Sequence, residues 1–332
     1  MIADTPTTAV TGANGFVGQH LCAALRRRGL PARAVVRAGR PAPEAAERAE
    51  IADLADRRGL ARAFAGVDRV VHLAGRAHVL RGEGGDALVA FRATNVGGTE
   101  AVLAAAIDAG VRQVVLVSSL AAAGGEQPDP HGADGDAPTT PYGVSKLEAE
   151  AAAIRAAALG RIALTVVRPP MVYGPGMRGN PLRLFDLLAR GVPLPLGGVR
   201  NRRSMVYVGN LAAALLAALD HPTCGIGPYY VSDGAPVSTP AFVRAAAAAL
   251  GVRVRLLPVP PALLRAAARG ADLVAPRSAR RSARDAVERL VGSVVVDDGP
   301  LRACAGYEPP HSMADGLAET ARWYRGRAAI GT

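Results

Sequence analysis

A chain of 332 residues, half of them hydrophobic, is long enough for two cores or for one core with a large elaboration. Its net charge of +11 is spread along the sequence, and aromatic residues make up only 4%, so the chain lacks the basic stripe and stacking rings of a nucleic-acid binder. Cys22, Cys224 and Cys304 are too few and too scattered for a disulfide framework or a metal cage, which predicts no metal site and a reduced, cytoplasmic setting.

The first strand is predicted over "TTAVT" (7–11), followed by a helix over 16–29 that Gly29 closes. A strand "ARAVVR" (32–37), a helix over 55–64, a strand "RVVHLA" (69–74) and a long helix over 86–109 come next. Then follow a strand "QVVLVSS" (113–119), a helix over 142–160 and a strand "IALTVVR" (162–168). This alternation predicts an α/β fold: parallel strands joined by right-handed helical crossovers in a doubly wound sheet. After "RPP" (168–170) the alternation loosens and prolines and glycines become frequent. The expected division is therefore 1–170 and a smaller domain over 171–332, with some later segments returning to the first. The densest basic segment, 276–289, reads as a solvated face. The first dozen residues lack the parts of a secretory signal. The longest apolar runs, such as 211–219, fall short of the roughly 20 residues a spanning helix needs, so no membrane insertion is expected.

Between the first strand and first helix, "TGANGFVG" places Gly12, Gly15 and Gly18 in a G-x-x-G-x-x-G pattern. Such glycines allow a tight turn, close approach of backbone N–H groups to a pyrophosphate, and close packing of helix on strand. A dinucleotide is the expected ligand. Where an acidic residue would bind the 2′-hydroxyl of NAD, the second strand ends in Arg37, with Arg40 just beyond. A guanidinium suits a 2′-phosphate, so NADP(H) is favoured over NAD(H).

"TTPYGVSKLEAE" (139–150) contains Lys146, the only lysine in the sequence. Thr140 is a candidate N-cap and Pro141 suits the first helical position. Tyr142 and Lys146 then lie one turn apart on one helix face. A phenol is a poor base at neutral pH, and a nearby ammonium together with a helix N-terminus is expected to stabilise its phenolate. Ser118 and Ser119 end the preceding strand, where a hydroxyl can orient a carbonyl or alcohol. Ser119, Tyr142 and Lys146 therefore form a candidate catalytic set beside a dinucleotide site.

These motifs, in this order, resemble an extended short-chain dehydrogenase/reductase of the NAD-dependent epimerase/dehydratase family, in its UDP-glucose 4-epimerase-like, nucleotide-sugar branch. The resemblance runs over nearly the whole chain and implies a Rossmann sheet with a C-terminal nucleotide-sugar-binding domain. It implies that Tyr142 is the acid/base, that Lys146 holds ribose and tunes the tyrosine, and that Ser119 contacts the reacting oxygen. Around the cofactor it places Asn14, Phe16 and Val17 of the glycine turn, Asp53 and Leu54 at adenine, and Leu73, Ala74 and Gly75 of the loop "HLAGRAH" (72–78). It adds Ser118, Pro169, and Asn95 as a support for the active site. Arg203 in "RSMVYV" matches an arginine that grips the UDP diphosphate, and Arg178 and Asn180 join the substrate set; Met171 stands where the family often has asparagine.

The resemblance also implies a UDP-sugar substrate and a homodimer. The stretch "SSLAAAGG" lacks the acidic pair of a 4,6-dehydratase, which disfavours water elimination. Two reactions stay open: reduction of a UDP-4-keto-6-deoxy-hexosamine in surface-polysaccharide synthesis, which Arg37 favours, and 4-epimerisation with tightly held NAD. A non-catalytic NADP-binding regulator is the reading from another class.

Overall fold

The computed structural model describes residues 5–77, 87–124, 138–274 and 282–330. His78 of the "HLAGRAH" loop, the predicted helix start at Asp86 and the basic residues 276–281 lie outside these.

The chain begins β1 (Thr8–Thr11), α1 (Phe16–Arg27), β2 (Ala32–Arg37), β3 (Glu47–Ile51), α2 (Arg57–Phe64), β4 (Arg69–His72). Next, α3 (Ala87–Arg92) runs through a π-helical turn at Ala93–Gly97 into α4 (Gly98–Asp108). β5 (Gln113–Val117), α5 (Pro141–Gly160) and β6 (Ala163–Arg168) complete the first half. The second half holds β7 (Met171–Tyr173), α6 (Asn180–Ala189), β8 (Met205–Tyr207), α7 (Val208–Asp220), β9 (Tyr229–Tyr230) and α8 (Thr239–Leu250). It closes with α9 (Pro261–Val274), α10 (Ser282–Val291), α11 (Gly299–Ala305) and α12 (Met313–Ile330).

Seven strands form one parallel sheet in the order β3-β2-β1-β4-β5-β6-β9. The alternation of strand side chains divides its core in two. Val10, Val71, Val115 and Val167 face one side, under Leu21 and Leu25 of α1, Leu215 of α7 and Leu301 of α11. Ala9, Val70, Val114 and Val166 face the other, under Phe64 of α2, Leu103 of α4 and Ala153 of α5. Because both faces are covered, the strands read as continuous apolar runs. α7, β9 and α11 all come from the second half of the chain, so the sheet is completed by segments that follow the loosened region. A further core gathers Tyr173, Phe185, Phe242 and Leu317 from β7, α6, α8 and α12.

β3, "ERAEI", escapes the sequence reading because an edge strand with charged outer positions has no hydrophobic period. Its Glu47 accepts from Nε of Arg33 on β2 at 2.9 Å. The cysteine expectation is corrected too. Cys224 and Cys304, 80 positions apart, form a disulfide with Cα atoms 5.4 Å apart, while Cys22 is buried and free. The packing of α11 beside the turn at Pro222–Cys224 brings the pair together, and sequence spacing carries no signal of that. No helix among the described residues is long and apolar enough to cross a membrane.

Sheet order reverses between β1 and β4: the chain leaves β1 toward β2 and later returns on the other side. The carboxyl ends of these two strands therefore splay their connections apart and leave a crevice. β5 and β6 end beside it.

Candidate active site

The turn after β1 forms one wall of the crevice. Gly12 sits at φ +69°, and a side chain there would meet the Ala74 backbone nitrogen at 2.8 Å. At Gly18 a side chain would drive into the Gly12 carbonyl oxygen and the Ala13 Cα, so α1 lies directly against the turn that precedes it. Gly15 caps α1 without any side-chain bond, and no acidic residue occupies the first helical turn. The positive helix end thus faces the crevice with no anion of its own.

α5 supplies the opposite wall. Thr140 Oγ1 accepts from the Gly143 N–H at 3.1 Å and Pro141 occupies the first turn, as the capping pattern predicts. The helix is held to the sheet by a buried pair: Arg168 on β6 donates from Nε and Nη2 to both carboxylate oxygens of Glu150, at 3.0 and 2.7 Å, and from Nη1 to the Tyr230 hydroxyl at 3.2 Å. This orients Tyr142 and Lys146 inward. Phe91 of α3 packs edge-on against the phenol, ring centroids 5.7 Å apart.

Lys146 is buried, and its Nζ donates to the Val117 carbonyl at 2.9 Å. Burial lowers its ammonium pKa to about 8, against the opposing effect of Glu150 one turn on. The phenol of Tyr142 moves the other way: burial raises its pKa, and a hydrogen bond with Ser119 opposes the rise. The expected lowering by ammonium and helix end is thus corrected, because desolvation of the phenolate dominates. The Ser119 hydroxyl also accepts from the Ala121 N–H at 3.2 Å, ending β5 in a tight turn.

A cavity of about 340 Å³ lies between the two walls. Of the residues predicted from sequence it brings together Gly12, Gly15, Phe16, Val17, Gly18, Leu73, Gly75 and Asn95 with Ser118, Ser119, Tyr142, Lys146 and Pro169. It adds Arg76, Val172 and Leu211, which the sequence reading missed. Arg76 had a visible signal, as a cation inside the quoted "HLAGRAH" loop.

The other predicted residues lie off this lining. Ala74 backs onto Gly12 and donates its N–H to Thr11 Oγ1 at 3.2 Å, and the Asn14 carbonyl accepts from Gln19 Nε2 at 3.0 Å. Arg37 is exposed at the carboxyl end of β2. The Asp53 carboxylate accepts from the Ala55 N–H at 2.7 Å, and Leu54 packs on Gly98. Arg178 and Asn180 are exposed at the start of α6. Arg203 donates from Nη1 to the carbonyls of Arg289 and Gly292, at 2.6 and 3.1 Å, so its guanidinium ties down the end of α10.

The cavity suits a nicotinamide dinucleotide. The uncapped end of α1 and the bare Gly12–Gly18 turn form a cradle for phosphate that any side chain would fill. The Ser118 hydroxyl, buried on the lining, has no hydrogen-bond partner among the described residues and is placed to take one from a ligand.

Residues 8–230 match the NAD dependent epimerase/dehydratase family. UDP-glucose 4-epimerase of Vibrio cholerae is 33% identical over 262 residues, covering 76% of this chain and 75% of the relative. Ceramide reductase of Caulobacter vibrioides is 31% identical over 329 residues, covering 96% and 94%. Among solved structures, MoeE5 in complex with UDP-glucuronic acid and NAD superposes with a TM-score of 0.73 at 26% identity, covering 97% of this chain and 99% of that one. With its glycine turn, its Ser119, Tyr142 and Lys146 around one cavity and this match, the chain belongs to the NAD dependent epimerase/dehydratase family.

Proposed function

We propose that the chain is an NADP(H)-preferring reductase of the C4 ketone of a UDP-4-keto-6-deoxy-hexosamine, acting in surface-polysaccharide synthesis. The observation that carries the reading is Arg37, exposed at the end of β2 where an acid would bind the 2′-hydroxyl of NAD, which supports the NADP(H) preference. A reductase exchanges its dinucleotide at each turnover, whereas an epimerase holds NAD throughout, so a site built for NADP(H) suits the reductase.

In this mechanism the dinucleotide, when bound, supplies the hydride. Ser119 hydrogen-bonds the ketone oxygen and aligns it with the phenol. Tyr142 donates its proton to that oxygen as negative charge builds there. Lys146, with a pKa of about 8, is charged at neutral pH and stabilises the phenolate left behind. Phe16, Val172 and Leu211 give the same cavity an apolar part.

Epimerisation at C4 is the second reading, favoured by the likeness to the Vibrio cholerae 4-epimerase. Incubation with a UDP-4-keto-6-deoxy-N-acetylhexosamine and NADPH tests the first: loss of the reduced-nicotinamide absorbance with formation of the C4 alcohol is expected. Formation of the 4-epimer of UDP-N-acetylglucosamine without added cofactor overturns the reductase in favour of the epimerase.

A further inference from the structure

Three side chains buried behind the crevice, Thr11, His72 and Thr99, form a hydrogen-bonded chain with a single direction. The Ala74 N–H donates to Thr11 Oγ1 at 3.2 Å. Thr11 Oγ1 lies 2.7 Å from His72 Nδ1, and His72 Nε2 lies 3.2 Å from Thr99 Oγ1. Thr99 Oγ1 donates to the Asn95 carbonyl at 2.6 Å. A carbonyl cannot donate, so the one Thr99 proton is spent on Asn95, and Nε2 of His72 must carry a proton to reach Thr99. In a neutral imidazole Nδ1 is then the acceptor, and it takes the Thr11 proton. Every donor in the series points from Ala74 toward Asn95.

The two ends of this series touch the machinery. Ala74 is the backbone against which Gly12 is pressed, so the reach of Thr11 sets the gap between the glycine turn and the Leu73–Gly75 loop. Asn95 clamps Arg76, accepting from its N–H at 2.8 Å and donating to its carbonyl at 3.1 Å. Its Nδ2 also donates to Ser145 Oγ at 2.9 Å, and Ser145 Oγ donates to the Tyr142 carbonyl at 2.8 Å. A π-helical turn at Ala93–Gly97 aims Asn95 inward.

We propose that His72, locked as its Nε2–H tautomer between Thr11 and Thr99, is a positioning residue that sets the width of the dinucleotide crevice and couples it to the catalytic helix. It touches neither reacting atoms nor the cavity, and acts through Ala74 and Asn95. The Lys146 ammonium is the charged group whose field reaches it, and burial with that field keeps the ring neutral. A charged ring would turn Nδ1 into a donor and break the series at Thr11. This role rests on the dinucleotide reading of the cavity.

The test uses two substitutions at Thr11 in the full chain, with NADPH and NADH affinity and melting temperature as readouts. Thr11→Ser keeps the hydroxyl and loses a methyl group from a fully buried site. Thr11→Val keeps the shape and loses the hydroxyl. Affinity that follows the hydroxyl is the expected result: Thr11→Ser binds like wild type even at a lower melting temperature, and Thr11→Val binds about tenfold more weakly, one hydrogen bond's worth. His72→Ala, which interrupts the series at its centre, is expected to show the same loss. Affinity that follows melting temperature instead, or equal binding by Thr11→Val and wild type, overturns the positioning role alone. Wild type that binds neither dinucleotide overturns the cofactor reading and the positioning role with it.

Discussion

Lys146 and Val117 meet at the carboxyl end of β5, where Nζ donates to the main-chain carbonyl at 2.9 Å from a side chain only 7% exposed. A compact ammonium fits this space, whereas a planar guanidinium presents five fixed donors where one acceptor waits. In a chain that uses arginine at every other basic position, this geometry explains the exception. Lys146→Met is expected to keep or raise the melting temperature, because it removes a buried charge, while turnover falls by about a hundredfold or more. Lys146→Arg is expected to lower both. Near-normal turnover and stability in the arginine variant would show that the position tolerates any cation.

Tyr142→Phe is expected to reduce turnover by about 10²- to 10⁴-fold, the usual worth of a positioned proton donor. Dinucleotide affinity should change little, since the Phe91 contact and the helix cap remain. Steady-state kinetics alongside a direct cofactor titration separates the two effects. Undiminished turnover removes Tyr142 from the chemistry in either proposed reaction.

His72 gives the fold a specific acid sensitivity. Burial, and next the Lys146 charge, lower its pKa from the ordinary 6.5 to about 3. Across that window the unfolded chain binds the proton and the folded chain does not, so this contribution is fully present above pH 6.5 and is lost as the pH falls toward 3. The slope reaches about 1.4 kcal/mol per pH unit. Urea unfolding at several pH values should show His72→Gln with a shallower acid decline than wild type. Parallel curves would mean that the ring titrates normally.

At Gly18, α1 and the glycine turn leave no room for one carbon. Gly18→Ala is expected to cost about 1–3 kcal/mol by overpacking and to abolish dinucleotide binding, because backbone on both sides of the phosphate cradle must move. Isothermal titration with NADPH checks this, and binding equal to wild type contradicts the placement of the cofactor against the turn.

Arg37→Asp restores an acid at the end of β2. The expected outcome is a fall in NADPH affinity of at least tenfold with NADH affinity unchanged or improved, as a repelled 2′-phosphate requires. Tighter binding of NADH than NADPH by the wild type sinks the NADP(H) preference outright.

Much of the fold was legible because local signals and global packing agree along the first half of the chain. The two-sided burial of β1, β4, β5 and β6 writes itself as valine runs, the helices between them as alanine-rich stretches, and the glycine turn and α5 cap as short-range rules about φ, close approach and unpaired N–H groups. These rules involve residues within a few positions of one another, so the sequence determines them alone. Tertiary structure decided the rest. β3 exists only because β2 offers it an edge, Cys224 and Cys304 meet only when α11 lies beside the turn at Pro222–Cys224, and Arg203 finds the carbonyls of Arg289 and Gly292 only when α10 ends there. The charge states at the site belong to the same class. The spacing of Tyr142 and Lys146 predicts that they share a helix face, yet the rise of one pKa and the fall of the other follow from burial. Burial depends on Phe91, Val117 and His72 being folded around them from α3, β5 and β4, and no local spacing encodes that.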